Sequence, residues 1–199
     1  MEIIEFFSVI GTISFSLQGG LIAMEKKFDL FAVYLFGIIN SFGGGALRYM
    51  LLGESGNELW VQDVPFIASM VAITAVLIFP HFFLKNRYFW TDILDAVGIM
   101  SFAIQGSMIA IGMGRPVSAV IVAALLTATG GGVFRDLLAH RRSILLDENI
   151  YGLWIFLVGL ILGNGWATTN TEIIIVFVMF TILRILSYKR NWKVPYRAF

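Results

Sequence analysis

Long apolar stretches separated by short polar connections follow one another along the whole chain. A helix needs about 20 apolar residues to cross a hydrocarbon core. By that measure the pattern predicts seven helical spans, over residues 3–24, 30–52, 64–84, 93–113, 117–139, 150–167 and 171–188, the last two being short. The connections are brief and hold most of the charge, so little is left for a soluble domain. The predicted class is an all-α membrane protein, a single membrane domain over 1–199. The first span does not have the form of a cleavable signal: Glu2 and Glu5 precede it where Lys or Arg is expected, and no small-x-small site closes it.

The pattern also repeats. "GTISFSLQGGLIA" from Gly11 returns as "GIMSFAIQGSMIA" from Gly98, and "FGGGALRYML" from Phe42 returns as "TGGGVFRDLL" from Thr129. The offset is 87 residues without a gap, and 14 of the 44 pairs between 9–52 and 96–139 are identical. Shared apolar composition gives scattered matches; it does not give Ser, Gln, three Gly and Arg at one offset. A repeat this long is architecture. Repeat 1 covers about 3–84, repeat 2 about 91–167, and a seventh helix, about 171–188, stands outside both.

Charge sets the orientation. Short loops rich in Lys and Arg stay cytoplasmic. With loops numbered alternately, ten of the fourteen Lys and Arg fall on one side, only Arg115 on the other, and Arg48, Arg135 and Arg184 lie within or at the end of spans. This places the N-terminus outside and the C-terminus in the cytoplasm of a cell inner (plasma) membrane. Each repeat unit then holds three spans, an odd number, so the second unit enters the membrane upside down. Inverted repeats of this kind belong to channels and transporters, which use them to build a polar site near mid-membrane.

Gly43, Gly44 and Gly45 in the second span, and Gly130, Gly131 and Gly132 in the fifth, each lie past the middle of a helix. Glycine costs a helix up to about 1 kcal/mol per residue against Ala, so the triplets are expected to kink or unwind the backbone facing the interior, where freed groups are tolerated. The other reading is close helix packing by small residues. Arg48 and Arg135 follow three residues after the triplets, each on the order of 10 Å from the midplane. Either they snorkel to headgroups or they point into a polar cavity. Asp136 offers a carboxylate next to Arg135, where repeat 1 has Tyr49. Adjacent helical positions do not share a face, so pairing across the bundle is open to it.

Gly11, Ser14 and Gln18 lie along one helical face, as do Gly98, Ser101 and Gln105. With Asn40 and Thr127, three residues before the triplets, they make a matched polar set. It serves either as interhelical glue or as the lining of a water path. Asp92 and Asp95 read as acids at a helix N-terminus, suited to the macrodipole, or as a vestibule that attracts cations. His81 and His140 read as interfacial. Anionic lipids are expected partners at His140, Arg141 and Arg142, and at Lys189, Arg190, Lys193 and Arg197, with Trp192 and Tyr196 as interfacial aromatics. The chain has no cysteine, so disulfide, thiol and thiolate-metal chemistry are excluded. It carries no Walker A sequence, HExxH or nucleophile elbow. Neither an enzyme, a cofactor, a metal nor a nucleic-acid partner is expected.

The paired GGGxxR motifs, the duplicated unit and the seventh span resemble the prokaryotic members of the trimeric intracellular cation (TRIC) channel family, over roughly residues 5–188. The resemblance implies a homotrimer with a pore inside each protomer, second and fifth spans kinked at the glycine triplets, and passage of monovalent cations, chiefly potassium. Related bacterial sequences with the same paired domain carry the description of glycine transporters, so the alternative is secondary transport of a small amino acid such as glycine. The family's first-repeat motif often reads Arg-Asp; this chain has Arg48-Tyr49. Two Arg near a pore repel potassium and on their own suit a carboxylate or another anion better; the resemblance favours the cation channel.

Overall fold

The structure, a computed structural model, describes residues 2–53, 63–140, 150–190 and 192. Among them the chain is helical: α1 Glu2–Glu25, α2 Leu30–Leu52, α3 Asp63–Ile78, α4 Pro80–Lys85, α5 Arg87–Gly112, α6 Val117–Leu138, α7 Tyr151–Gly163 and α8 Asn170–Lys189. Five of these, α1, α2, α5, α6 and α8, are long and apolar enough to cross a membrane; α3 and α7 are shorter apolar helices.

The predicted spans and the helices agree closely for α1, α2, α6 and α8, whose ends carry local signals. The Asp29 side chain caps α2 by accepting from the Ala32 N–H at 2.8 Å. Thr169 and Glu172 form a reciprocal capping box on α8. The third span departs from expectation. It divides into α3 and α4 at Phe79–Pro80, because Pro supplies no N–H for the helical ladder and its ring blocks the turn before it. The fourth begins earlier than predicted, at Arg87, and the sixth ends earlier, at Gly163.

Two crossings organise the molecule. α1 packs on α5, and α2 packs on α6; α3 lies mainly on α1, α7 on α6, and α8 on α5. At the first crossing a Cβ on Gly11 would strike the Phe102 ring, and a Cβ on Gly98 would strike the Phe15 ring. The two rings meet edge to face, centroids 5.1 Å apart. At the second, a Cβ on Gly44 would run into the Thr127 carbonyl oxygen and a Cβ on Gly131 into the Asn40 carbonyl oxygen. Gly98, Phe102, Thr127 and Gly131 are the repeat mates of Gly11, Phe15, Asn40 and Gly44. Contacts are thus exchanged between the halves, as across an isologous interface.

The burial pattern is that of a chain surrounded by lipid. Leu30, Phe31, Met50, Ile67, Val71 and Leu137 are exposed, whereas Gln18, Asn40, Ser101, Arg48, Arg135 and Asp136 are buried. An apolar groove of about 750 Å³ runs between α2, α3 and α6, past Phe42, Phe66 and Phe134. The buried polar side chains gather elsewhere.

Candidate functional site

The glycine triplets make the site possible by bringing α2 and α6 together. Both helices run unbroken through them, and no triplet residue has a positive φ, so the unwound turn expected from the sequence is absent. A Cβ on Gly130 would sit 2.9 Å from the Gly44 Cα, and one on Gly43 3.2 Å from the Gly131 Cα. Close backbone approach offsets the poor helix propensity of glycine. The third glycine of each triplet, Gly45 or Gly132, is not pressed by backbone and leaves space next to an Arg.

Arg135 and Arg48 are each 2% exposed; they point inward and do not snorkel. Arg135 sits at the centre of a network joining five helices, α1, α2, α5, α6 and α8. Its Nη1 donates to Gln18 Oε1 at 2.6 Å and to Asn40 Oδ1 at 3.4 Å. Its Nε and Nη2 donate to Asp136 Oδ1 at 2.9 and 2.8 Å. Asp136 therefore meets its chain neighbour: the guanidinium is long and forked enough to fold back across the angle that separates adjacent positions. Asn40 Nδ2 donates to the Phe15 carbonyl at 2.7 Å and to Gln18 Oε1 at 3.2 Å. Gln18 Nε2 continues the chain to Asp95 Oδ1 at 3.0 Å and the Thr91 carbonyl at 3.2 Å. Asp95 Oδ2 finally accepts from Arg184 Nη2 on α8 at 3.1 Å, and the Arg184 guanidinium stands 5.0 Å from the centroid of the Tyr151 ring.

Repeat 1 builds a different cluster around Arg48. Its Nη1 donates to Thr127 Oγ1 at 3.4 Å, while Thr127 itself donates to the Ala123 carbonyl at 2.7 Å. A cavity of about 10 Å³ adjoins it, walled by Ser8, Thr12, Ser41, Arg48, Gln105 and Thr127 among others. That is space for about one water. Of the remaining predicted residues, Ser14 is buried and Ser101 Oγ donates to the Val97 carbonyl one turn back, at 2.8 Å.

Asp95 was expected at a helix terminus and Arg184 only within a span; neither was predicted as a site residue, nor the two as a pair. The early start of α5 puts Asp95 in its third turn, buried, and not at a helix terminus. The available signal was Arg184: a cation within an apolar helix requires a counter-charge, and few acids lie within spans. The duplication hid Asp95, because its repeat mate is Ser8.

Within one chain, then, the same polar positions recur at two crossing helices, in a duplicated unit. The glycine transporter family model matches residues 5–81 and again residues 92–166. The chain belongs to that family. Its family relatives include the UPF0126 membrane protein YvgT of Bacillus subtilis, 45% identical over 195 residues covering 98% of this chain and 96% of YvgT. The UPF0126 inner membrane protein YadS of Escherichia coli K12 is 25% identical over 208 residues, 97% of this chain and 95% of YadS. Among solved structures, a prokaryotic TRIC channel in 0.5 M KCl superposes with a TM-score of 0.87 at 30% identity, over 97% of this chain and 99% of that one. A second TRIC cation channel gives 0.84 at 26% identity, over 98% and 97%. The family thus joins the glycine transporter description to the TRIC fold, as the paired GGGxxR motifs implied.

Proposed function

We propose that this protein is a homotrimeric channel for monovalent cations, permeable to potassium, with a pore inside each protomer around the α2–α6 crossing. The observation that carries the proposal is the buried polar network between crossing helices of a TRIC-like fold: Gln18, Asn40, Arg135 and Asp136 on one side of the crossing, Arg48, Gln105 and Thr127 on the other. Ser14 and Ser101 belong to the same lining, and the six triplet glycines set its width. Burying so many polar groups among apolar helices is costly unless they pair with one another or line a path, and such groups mark ion and substrate pathways. The Coulomb objection to Arg beside a cation path is met for Arg135 by Asp136, which neutralises it.

In this reading the chain is one membrane domain with seven crossings. Repeat 1 is α1, α2 and α3 with α4; repeat 2 is α5, α6 and α7; α8 is the seventh. The exchanged contacts of Gly11 with Phe102 and Gly98 with Phe15 support halves related by an axis in the membrane plane, hence inverted. The basic residues support an external N-terminus and a cytoplasmic C-terminus in the inner membrane. Anionic lipid headgroups are proposed at the exposed His140, Lys189 and Arg190; Arg141, Arg142, Lys193, Tyr196 and Arg197 lie outside the described residues.

The second reading is secondary transport of a small amino acid such as glycine. The family match favours it, and a buried guanidinium is a natural partner for a carboxylate. Planar-bilayer recording of the purified protein in a KCl gradient tests both. Unitary current steps reversing near the potassium equilibrium potential support the channel. Saturable glycine uptake into proteoliposomes without unitary currents supports the transporter and removes the channel.

A further inference from the structure

The bond that both buried arginines share is the long one. Arg135 Nη1 donates to Asn40 Oδ1 and Arg48 Nη1 to Thr127 Oγ1, each at 3.4 Å, and Asn40 and Thr127 are repeat mates. Arg135 has in addition the 2.6 Å bond to Gln18. Gln105, the mate of Gln18, is likewise buried, but no such bond joins it to Arg48 among the described residues. A glutamine and an arginine at the repeated positions therefore do not make this contact by themselves.

The Gln18 amide can face only one way. A guanidinium donates and never accepts, and an ionised carboxylate accepts and never donates. Gln18 Oε1 thus faces the donors Arg135 Nη1 and Asn40 Nδ2, while Nε2 faces the acceptors Asp95 Oδ1 and the Thr91 carbonyl. Asn40 is fixed in its turn, because Nδ2 also donates to the Phe15 carbonyl. Reversing the Gln18 amide would set its NH₂ against the guanidinium and its carbonyl against the carboxylate. Of the two acceptors, the Thr91 carbonyl has a counterpart in repeat 1, that of Ile4 within α1. Asp95 has none, since its mate is Ser8. A carboxylate is also the stronger acceptor. Its second oxygen accepts from Arg184 on α8, outside the duplication, which compensates its charge.

We propose that Asp95 is a positioning residue for Arg135. By accepting from the Gln18 amide it turns the Gln18 carbonyl oxygen onto Arg135, and so holds the guanidinium in the buried network against Asp136. Arg184 serves Asp95, so α8 acts on the charge at the α2–α6 crossing by way of α5 and α1. The effect on conduction rests on the channel reading above; the effect on Arg135 itself does not.

Three variants of the full chain test this: Asp95→Asn with Arg184→Gln, which removes the ion pair as a unit; Gln18→Met, which removes the amide; and the combination of all three substitutions. The rate at which methylglyoxal, a small guanidine reagent, modifies Arg135 is measured in the detergent-solubilised protein by peptide mass spectrometry, with Arg48 as the reference in the same sample. Removing the ion pair should raise the rate at Arg135 relative to Arg48 about tenfold, a factor that one charge-assisted hydrogen bond supports. Gln18→Met should raise it as much. The combination should react no faster than Gln18→Met, because Asp95 acts through Gln18. In planar bilayers under a KCl gradient the same variants should move the reversal potential away from the potassium value, again without addition. Asp95→Leu with Arg184→Met, an apolar exchange of the kind buried pairs tolerate, decides the matter if Asp95→Asn with Arg184→Gln does not fold. An unchanged ratio of Arg135 to Arg48, or summed effects in the combination, overturns the positioning role. The expected ratios in a parent that passes no current uphold that role and remove the channel. Unitary potassium currents in the parent with an unchanged ratio do the reverse.

Discussion

Arg184 of α8 and Asp95 of α5 form a buried ion pair, Nη2 to Oδ2 at 3.1 Å, which ties the helix outside the duplication to one within it. Removing one member of such a pair leaves a buried charge uncompensated and costs about 3–5 kcal/mol. Asp95→Asn or Arg184→Gln alone should therefore lower the thermal unfolding temperature of the detergent-solubilised protein sharply. The double variant should recover most of the loss, since both charges then disappear together. Additive losses in the double variant would show that the pair is not what joins the helices.

The glycine triplets are tight in their middle positions and loose at their ends. Gly44→Ala places a methyl group against the Thr127 carbonyl oxygen and should destabilise by about 1–3 kcal/mol, the range for overpacking. Nothing lies within 4 Å of a Cβ on Gly45, so Gly45→Ala should unfold at or slightly above the parent temperature. Equal effects of the two substitutions would contradict the packing described for α2 and α6.

The crossing of α1 and α5 makes a compensating pair. Gly98→Ala drives a methyl group into the Phe15 ring and should destabilise, but the obstacle is the far part of a side chain. Phe15→Leu introduced with it should restore part of the stability, measured by thermal unfolding of the single and double variants. Failure of Phe15→Leu to help Gly98→Ala would mean that the strain falls on the backbone.

If the path carries cations, fixed positive charge beside it lowers their local concentration. Arg48→Gln should raise the permeability of potassium relative to chloride, read as a shift of the reversal potential toward the potassium equilibrium value in a KCl gradient. An unchanged reversal potential with normal currents would place Arg48 away from the conducting path.

Much of this arrangement was legible in the sequence, and for physical reasons. Apolar length located the helices, because lipid penalises everything else. The offset of 87 residues identified which side chains would be matched. Gln18, Asn40, Arg135 and Asp136 do converge, because buried polar groups in such a bundle must find one another. The failures are equally specific. The triplets suggested a kinked or unwound turn on propensity, with close packing as the other reading; α2 and α6 are not unwound, and contact at Gly44 and Gly131 agrees with the packing reading. Pro80 was read through as part of a span and divides it instead. Asp95 was assigned to a helix end whose position was misjudged by two turns. Its partner Arg184 is distant in sequence and unrelated to it by the repeat, so periodicity held no trace of the pair.

The exchange of Gly11 and Phe102 for Gly98 and Phe15 carries a consequence for ancestry. Each half presents a knob and the socket for its twin, so a gene of half the length would encode a peptide able to dimerise with its own rotated copy. Fusion of two such genes preserves that fit while freeing each half to drift. In the present chain the drift has put the buried carboxylates of the described residues, Asp95 and Asp136, in the second half.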